Sequence, residues 1–292
     1  MIGATGSHEM TKKNVLITGG KGNLAGPVAA RLAGRAHLML TDLAPPGADD
    51  GDHYRQADLA DFKQVVSLME GVEVVVHLAV SASRHFSGRP APAPLELDPY
   101  HESMVRVNPL ITYHVFEAAR RAGVRRVVYA SSLTIYYGDK SRDHYLETDC
   151  PDPQNLYACT KLFGENLAAV YGRDYGIEAL SLRIGQPFPA HPGLDLKWRH
   201  DRRARSSYVT LEDVARSVEA AVFTAETTGV YNVVSDSDNP RFDLSASRRM
   251  GYVPSGRFAA EGLFHRENES GEWTLVSPTS QPSQESSSGQ RA

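Results

Sequence analysis

The chain is expected to fold as a doubly wound α/β domain around a parallel sheet, and three observations predict it. Short apolar runs alternate with longer amphipathic ones through most of the 292 residues, the pattern of strands joined by crossover helices. The apolar runs carry Val, Ile and Leu without strict alternation, which suits strands covered on both faces. A glycine-rich turn, Thr18-Gly-Gly-Lys-Gly-Asn-Leu-Ala-Gly26, follows the first run, where such folds pass from strand to helix.

The predicted strands are Asn14–Thr18, His37–Thr41, Glu73–Leu78, Arg126–Ser131 and Glu178–Arg183, with Val230–Val234 a sixth and a further short one before Asp58. Helices are expected at about Leu24–Ala33, Asp61–Glu70, Pro109–Ala122, Asn155–Tyr175 and Leu211–Thr224. Asp61 reads as an N-cap, and an acidic start suits the helix dipole. Pro109 suits a first helical turn, where its missing N–H costs nothing, with Asn108 as N-cap before it. Gly123 reads as the C-cap of the same helix. Four prolines between Gly88 and Pro99 predict a surface loop. From Ser277 onward the Ser, Gln and Pro content predicts a disordered tail, residues 277–292. The expected division is a nucleotide-binding unit, 11–184 with 207–235, and a small substrate lobe, 185–206 with 236–276.

At 41% hydrophobic residues the chain can build a large core. A net charge of −4 gives no reason to expect nucleic acid or an anionic membrane as partner. No apolar stretch reaches the roughly 20 residues needed to span a bilayer, and the N-terminus lacks a signal peptide's basic start and apolar core. Two cysteines, Cys150 and Cys159, cannot make a disulfide scaffold or a metal site by themselves. These features predict a cytoplasmic protein without a metal.

The glycine turn must let a pyrophosphate approach the next helix. Gly19 and Gly22 remove side chains where the turn and the phosphate would meet them, and helix N–H groups then bind the anion. The next strand ends at Asp42, 23 residues after Gly19. An acidic side chain there accepts from the adenosine ribose hydroxyls and repels a 2′-phosphate, so NAD is favoured over NADP. Asp58 follows the third strand, where it can meet the adenine amino group. His77-Leu-Ala-Val80 ends the fourth, with small residues that let backbone lie against the cofactor; His77 itself reads as structural.

Ser132 closes the strand from Arg126, and Tyr157-Ala-Cys-Thr-Lys161 follows 25 residues later. Four-residue spacing on a helix puts Tyr157 and Lys161 on one face, where the ammonium stabilises a phenolate and brings the Tyr toward a useful pKa. Ser132 stands at the C-terminal end of a parallel strand, where doubly wound sheets bind ligands. These three are the expected catalytic residues.

On these motifs, from Asn14 to Asp213, the chain resembles the extended short-chain dehydrogenase/reductases. That resemblance implies a Rossmann-type fold, a nicotinamide cofactor, a homodimer and a small-molecule substrate. It implies a cofactor set of Gly19, Gly22, Asn23, Leu24, Asp42, Asp58, Leu59, Leu78, Ala79, Tyr157, Lys161 and Ile184. Asn108 matches an Asn such enzymes often carry. Dehydratases of the family follow the catalytic hydroxyl with Asp-Glu, whereas here Leu133-Thr134 follows. Epimerases carry a larger C-terminal lobe than the 60 or so foldable residues after Asp213.

Leu156–Asn166, Leu182-Arg-Ile-Gly185 and the stretch from Arg203 to Thr210 are similar to uronate dehydrogenases. There the Arg at the position of Arg203 grips the substrate carboxylate, as a guanidinium fork can. Ser81, Ser132, Gln186 and Arg203 are the substrate candidates. Two departures mark an altered pocket: Leu133-Thr134 replaces the Asn-His of those enzymes, and Gln186 replaces a small Ser. The expected function is NAD-dependent oxidation of an anomeric or secondary alcohol of a sugar or sugar acid. The alternatives are an epimerase with tightly held NAD and a non-catalytic NAD-binding sensor.

Overall fold

The computed structural model describes residues 12–81, 98–138, 141–188, 200–267 and 271–276. The tail from 277 and loop residues 88–97 lie outside them. Seven parallel strands form the main sheet: β1 (Lys13–Thr18), β2 (Ala36–Asp42), β3 (Tyr54–Gln56), β4 (Val74–His77), β5 (Arg126–Ser132), β6 (Glu178–Ile184) and β9 (Thr228–Val233). Their order is β3-β2-β1-β4-β5-β6-β9. The chain therefore leaves β1 in one direction and resumes at β4 in the other, and the crevice at this switch point is where such sheets bind ligands.

Alternation along each strand divides the core. Val15 and Ile17 of β1, Val74 and Val76 of β4 and Val128 and Ala130 of β5 pack on one face with α1 (Ala25–Leu32) and the helix Leu211–Phe223. Leu16, Val75, Val127 and Tyr129 point the other way, onto α2 (Phe62–Leu68), α3 (Pro99–Ala122) and α4 (Leu156–Tyr175). Both faces are dry, as the unbroken apolar runs predict.

Most predicted elements stand within a residue or two of their expected bounds, and Asp61 N-caps α2 by accepting from the Lys63 N–H at 2.9 Å. Gly123, with φ of 73°, ends α3. The exception is the start of that helix. It begins at Pro99, ten residues before the expected Pro109, which lies inside it. Pro99 is itself the proline of the first turn, with the Asp98 carbonyl accepting from the Glu102 N–H at 2.9 Å. Met104, 1% exposed, and Ile111, two turns later, bury one continuous stripe across Pro109, which outweighs the lost backbone bond. Asn108 is consequently not an N-cap.

Two smaller sheets complete the fold: β7 (Gln186–Phe188) with β8 (Tyr208–Thr210), and β10 (Asp236–Ser237), β11 (Gly256–Ala259), β12 (Gly262–Glu267) and β13 (Glu272–Leu275). Asp213 joins them to the main body. Fully buried, its carboxylate accepts from the Ser255 N–H at 2.6 Å, the Ser255 hydroxyl at 2.8 Å, the Gly256 N–H at 2.9 Å and the Ser235 hydroxyl. A Cβ on Gly256 would lie 2.6 Å from Thr210 Cγ2, so only glycine lets β11 approach this carboxylate.

Candidate active site

The glycine turn is shaped by two constraints at once. Gly19 has φ of 74°, and a Cβ there would lie 2.8 Å from the Ala79 nitrogen. Backbone from β1 and from the end of β4 thus meet at a distance only glycine permits. The Gly22 N–H donates to the Gly19 carbonyl at 2.9 Å, and the Ala25 N–H to the Gly22 carbonyl at 3.1 Å. Leu24 stands at the N-cap position of α1 without a side-chain cap; with the Ala25 N–H engaged and Pro27 lacking one, the Gly26 N–H is the donor this first turn offers an anion. Asn23 lies between them in the turn.

Asp42 ends β2 beside this turn. Its Oδ2 accepts from the Lys21 N–H at 3.0 Å and its Oδ1 from the Ala44 N–H at 3.3 Å. One bond to each oxygen fixes the carboxylate and leaves lone pairs for ribose hydroxyls. Asp58 is exposed, its Oδ1 accepting from the Ala60 N–H at 2.8 Å, while Leu59 is buried against α2 and α3. Leu78 and Ala79 hang from Thr18: the Leu78 N–H donates to its carbonyl and the Ala79 N–H to its hydroxyl, both at 3.3 Å. These residues fit a dinucleotide, because the positive-φ glycine, the uncapped helix start and the carboxylate line one edge of the sheet.

His77 has a structural setting. Its Nδ1 is 2.8 Å from Thr18 Oγ1 and its Nε2 3.4 Å from Thr112 Oγ1, and burial pushes its pKa down to about 3. The imidazole is therefore neutral and ties β1, β4 and α3 together.

Lys161 is positioned by two sequence features. Asn155 caps α4 by accepting from the Ala158 N–H at 2.9 Å, which sets the helix start and places Tyr157 and Lys161 one turn apart. Gly164, where a Cβ would fall 2.2 Å from Tyr129 Cζ, lets α4 settle on β5. The Lys161 ammonium then reaches under the strand end and donates to the Ala130 carbonyl at 2.7 Å. It lies 5.6 Å from the Tyr157 ring centroid and 5.2 Å from that of Tyr129. Burial lowers its pKa to about 8, since a buried ammonium is poorly solvated.

Ser132 ends β5 paired with Ile184 of β6. The next residues form a short 3₁₀ turn, Leu133–Tyr136, whose Thr134 N–H Ser132 caps. Thr134 donates to Ser132 Oγ from its hydroxyl at 3.0 Å and from its N–H at 3.3 Å. These two contacts fix Ser132 Oγ at the strand end, beside the cleft that Ser132 and Thr134 both line. In the sequence Thr134 stands out only as a departure from the uronate dehydrogenases; the Ser-x-Thr spacing after a strand end is the signal for this contact. Below, Ser131 donates to Glu165 at 2.5 Å, and Arg183 binds the same carboxylate through two nitrogens at 2.9 and 2.7 Å. This buried pair locks α4 to the ends of β5 and β6.

Asn108 clamps the loop after β4. Its side-chain oxygen accepts from the Ser81 N–H at 2.7 Å, and its amide nitrogen lies 3.3 Å from the Ser81 carbonyl and 3.4 Å from Thr160 Oγ1. Ser81 is thus held near α4 through Asn108. Ser132, Thr134, Tyr137, Ile184, Gln186 and Ser207 share a cleft of about 210 Å³. Gln186 reaches it because the Gln186 N–H donates to the Ser207 carbonyl at 2.7 Å, and Gly185 admits that carbonyl where a Cβ would be 2.3 Å away. Arg203 does not line this cleft. It pairs with Asp143 and faces an adjoining one, about 340 Å³, with His144, Arg202, Asn239 and Arg241, while its neighbour Ala204 lines the first.

Among the described residues no group of His, Cys, Asp or Glu could hold a metal ion, and no helix is long and apolar enough to cross a membrane.

Residues 15–197 match the family described as NAD dependent epimerase/dehydratase. A uronate dehydrogenase of Pseudomonas syringae pv. tomato is 32% identical over 247 residues, covering 82% of this chain and 81% of that protein. An NAD-dependent glucose-6-phosphate dehydrogenase of Haloferax volcanii is 27% identical over 271 residues, 85% of this chain and 96% of that one. Among solved structures, a mutant uronate dehydrogenase from Agrobacterium tumefaciens complexed with NAD superimposes with a TM-score of 0.67 at 28% identity, over 86% of this chain and 87% of that chain.

Proposed function

The chain belongs to the NAD-dependent epimerase/dehydratase family, and on that premise we propose that it is an NAD-dependent oxidoreductase acting on the anomeric or a secondary alcohol of a sugar or sugar acid. The observation that carries this reading is the buried Lys161 ammonium, held by the Ala130 carbonyl 5.6 Å from the Tyr157 ring, with an oriented Ser132 at the same strand end. The nicotinamide, when bound, supplies the hydride acceptor. Tyr157 as phenolate takes the hydroxyl proton, and Lys161 stabilises that phenolate electrostatically. Ser132, held in place by Thr134, donates to the substrate oxygen. Gly19, Gly22 and the start of α1 hold the pyrophosphate, and Asp42 holds the adenosine ribose, which favours NAD over NADP.

A 210 Å³ cleft is small beside the roughly 300–1,000 Å³ of sites for drug-sized ligands, which favours a monosaccharide over a nucleotide sugar. An acidic substrate is supported by Arg203, one residue from the cleft lining, and by the uronate dehydrogenases similar to this chain. Homodimerisation through α3 and α4 belongs to the same reading, supported by Val105, Leu110, Tyr113 and Phe163, each at least 40% exposed on those helices. So does a cytoplasmic location, supported by two free, exposed cysteines. The division into a nucleotide unit and a small substrate lobe is part of it too.

The test is NADH formation across neutral aldoses, uronates and hydroxysteroid-like alcohols, repeated with Arg203→Ala. NADH should appear with sugars, and Arg203→Ala should lose activity toward acidic ones selectively. No NADH with any of these substrates would contradict the proposal.

A further inference from the structure

The glycine turn carries one cation, Lys21, and its side chain is held in a specific arrangement. Its N–H donates to Asp42 Oδ2 at 3.0 Å, so the residue lies beside the carboxylate read as the ribose acceptor. Its ammonium pairs with Asp50, 29 residues later, and sits 4.7 Å from the Tyr54 ring centroid. Asp50 is fixed independently of the lysine, because its carboxylate also accepts from the Gly47 N–H and its own N–H donates to the Gly47 carbonyl at 3.3 Å. Tyr54 is fixed too, with its hydroxyl donating to the Ala44 carbonyl at 2.5 Å. The loop between β2 and β3 thus forms a preset cradle for the ammonium. Both side chains keep contact with solvent, at 34% and 20% exposure for Lys21 and Asp50.

The Asp42 and Asp50 carboxylates and the Lys21 ammonium stand together at this edge. Asp42 alone would repel a 2′-phosphate, but an unengaged Lys21 at the same edge would attract it, since a compact ammonium is a good phosphate binder. We propose that Asp50 is a specificity-determining residue for the dinucleotide: by pairing with Lys21 it withholds the ammonium from a 2′-phosphate and so disfavours NADP. This rests on reading the glycine turn as the dinucleotide site. It goes further in assigning selectivity to a residue eight positions beyond Asp42, in the loop that follows β2.

The experiment measures Kd for NAD⁺ and NADP⁺ by titration calorimetry, with 5′-AMP and 2′,5′-ADP as probes of the adenosine end. Asp50→Asn removes the charge and keeps an acceptor for the Gly47 N–H. The ratio of NADP⁺ to NAD⁺ affinity should rise roughly tenfold, about 1.4 kcal/mol, with a parallel rise for 2′,5′-ADP over 5′-AMP. Adding Lys21→Ala to Asp50→Asn should abolish the gain. Retained NAD⁺ binding in each variant reports an intact fold. A ratio within twofold of the wild type in Asp50→Asn, or a gain that survives the loss of Lys21, overturns the proposal. Failure of the site reading shows separately, as no saturable NAD⁺ binding by the wild-type protein, and overturns both.

Discussion

Lys161 and Arg203 are the two cations assigned to the chemistry, and they sit in opposite physical settings. Lys161 is 4% exposed and held by a backbone carbonyl at the end of a central strand. The Arg203 side chain is 50% exposed and pairs with Asp143 on a segment with little regular structure. A buried group on rigid elements is preorganised and acts on the reaction in every turnover. An exposed, paired group must exchange its partner for a ligand, and its net contribution is small because the exchange nearly balances. On the proposed reading, the redox apparatus is set by the sheet, while the choice of substrate is left to side chains at its margin.

The sharpest way to break this comparison is at Tyr157. Tyr157→Phe should lower turnover by about 10³, the scale of a lost general base, with the Kd for NAD⁺ within threefold of wild type. Near-normal turnover would remove Tyr157 from the mechanism and with it the distinction between the two regions.

Lys161 offers a second test through pH. Its folded pKa of about 8 lies below the ordinary 10.5, so the folded state binds fewer protons than the unfolded state between those values. Stability consequently rises with pH through that window, and the cost of the buried ammonium is fully present only below about pH 8. Relative to Lys161→Met, the wild type should gain about 3 kcal/mol between pH 8 and 10.5 in denaturant titrations. A difference independent of pH would show that the lysine is not desolvated.

Gly19→Ala should act on the cofactor end alone. With φ of 74° and the Ala79 backbone 2.8 Å from the new Cβ, it should cost about 1–3 kcal/mol of stability and weaken NAD⁺ binding. An unchanged Tm and Kd would mean that the turn relaxes freely. Arg203→Ala should have the smallest effect, visible only with acidic sugars.

The same contrast explains what could be read from the sequence. Gly19, Asp42, Ser132, Tyr157 and Lys161 are legible because strand ends and helix turns convert sequence spacing directly into position. Asp58 and Leu59 follow their strand as expected, but one caps a turn and the other enters the core. The start of α3 departs from the expected one because Pro109 has the local signature of a first turn, and only the buried stripe through Met104 and Ile111 shows that the helix continues. The contacts of Asp213 with Ser255 and Gly256, more than 40 residues away, carry no local signal. Arg203 was placed by resemblance, and its pairing with Asp143, 60 residues earlier, is a tertiary fact.

The central claim is net hydride transfer from a sugar carbon to NAD⁺ at the Ser132–Tyr157–Lys161 site. It is tested most directly by incubating the protein with NAD⁺ and an aldose or uronate deuterated at the anomeric carbon, then following the label. The predicted result is one deuterium on C4 of the reduced nicotinamide for each sugar oxidised, with NADH accumulating in proportion to product. Conversion of the sugar to an epimer, with no net NADH, would contradict it and identify the chain as an epimerase.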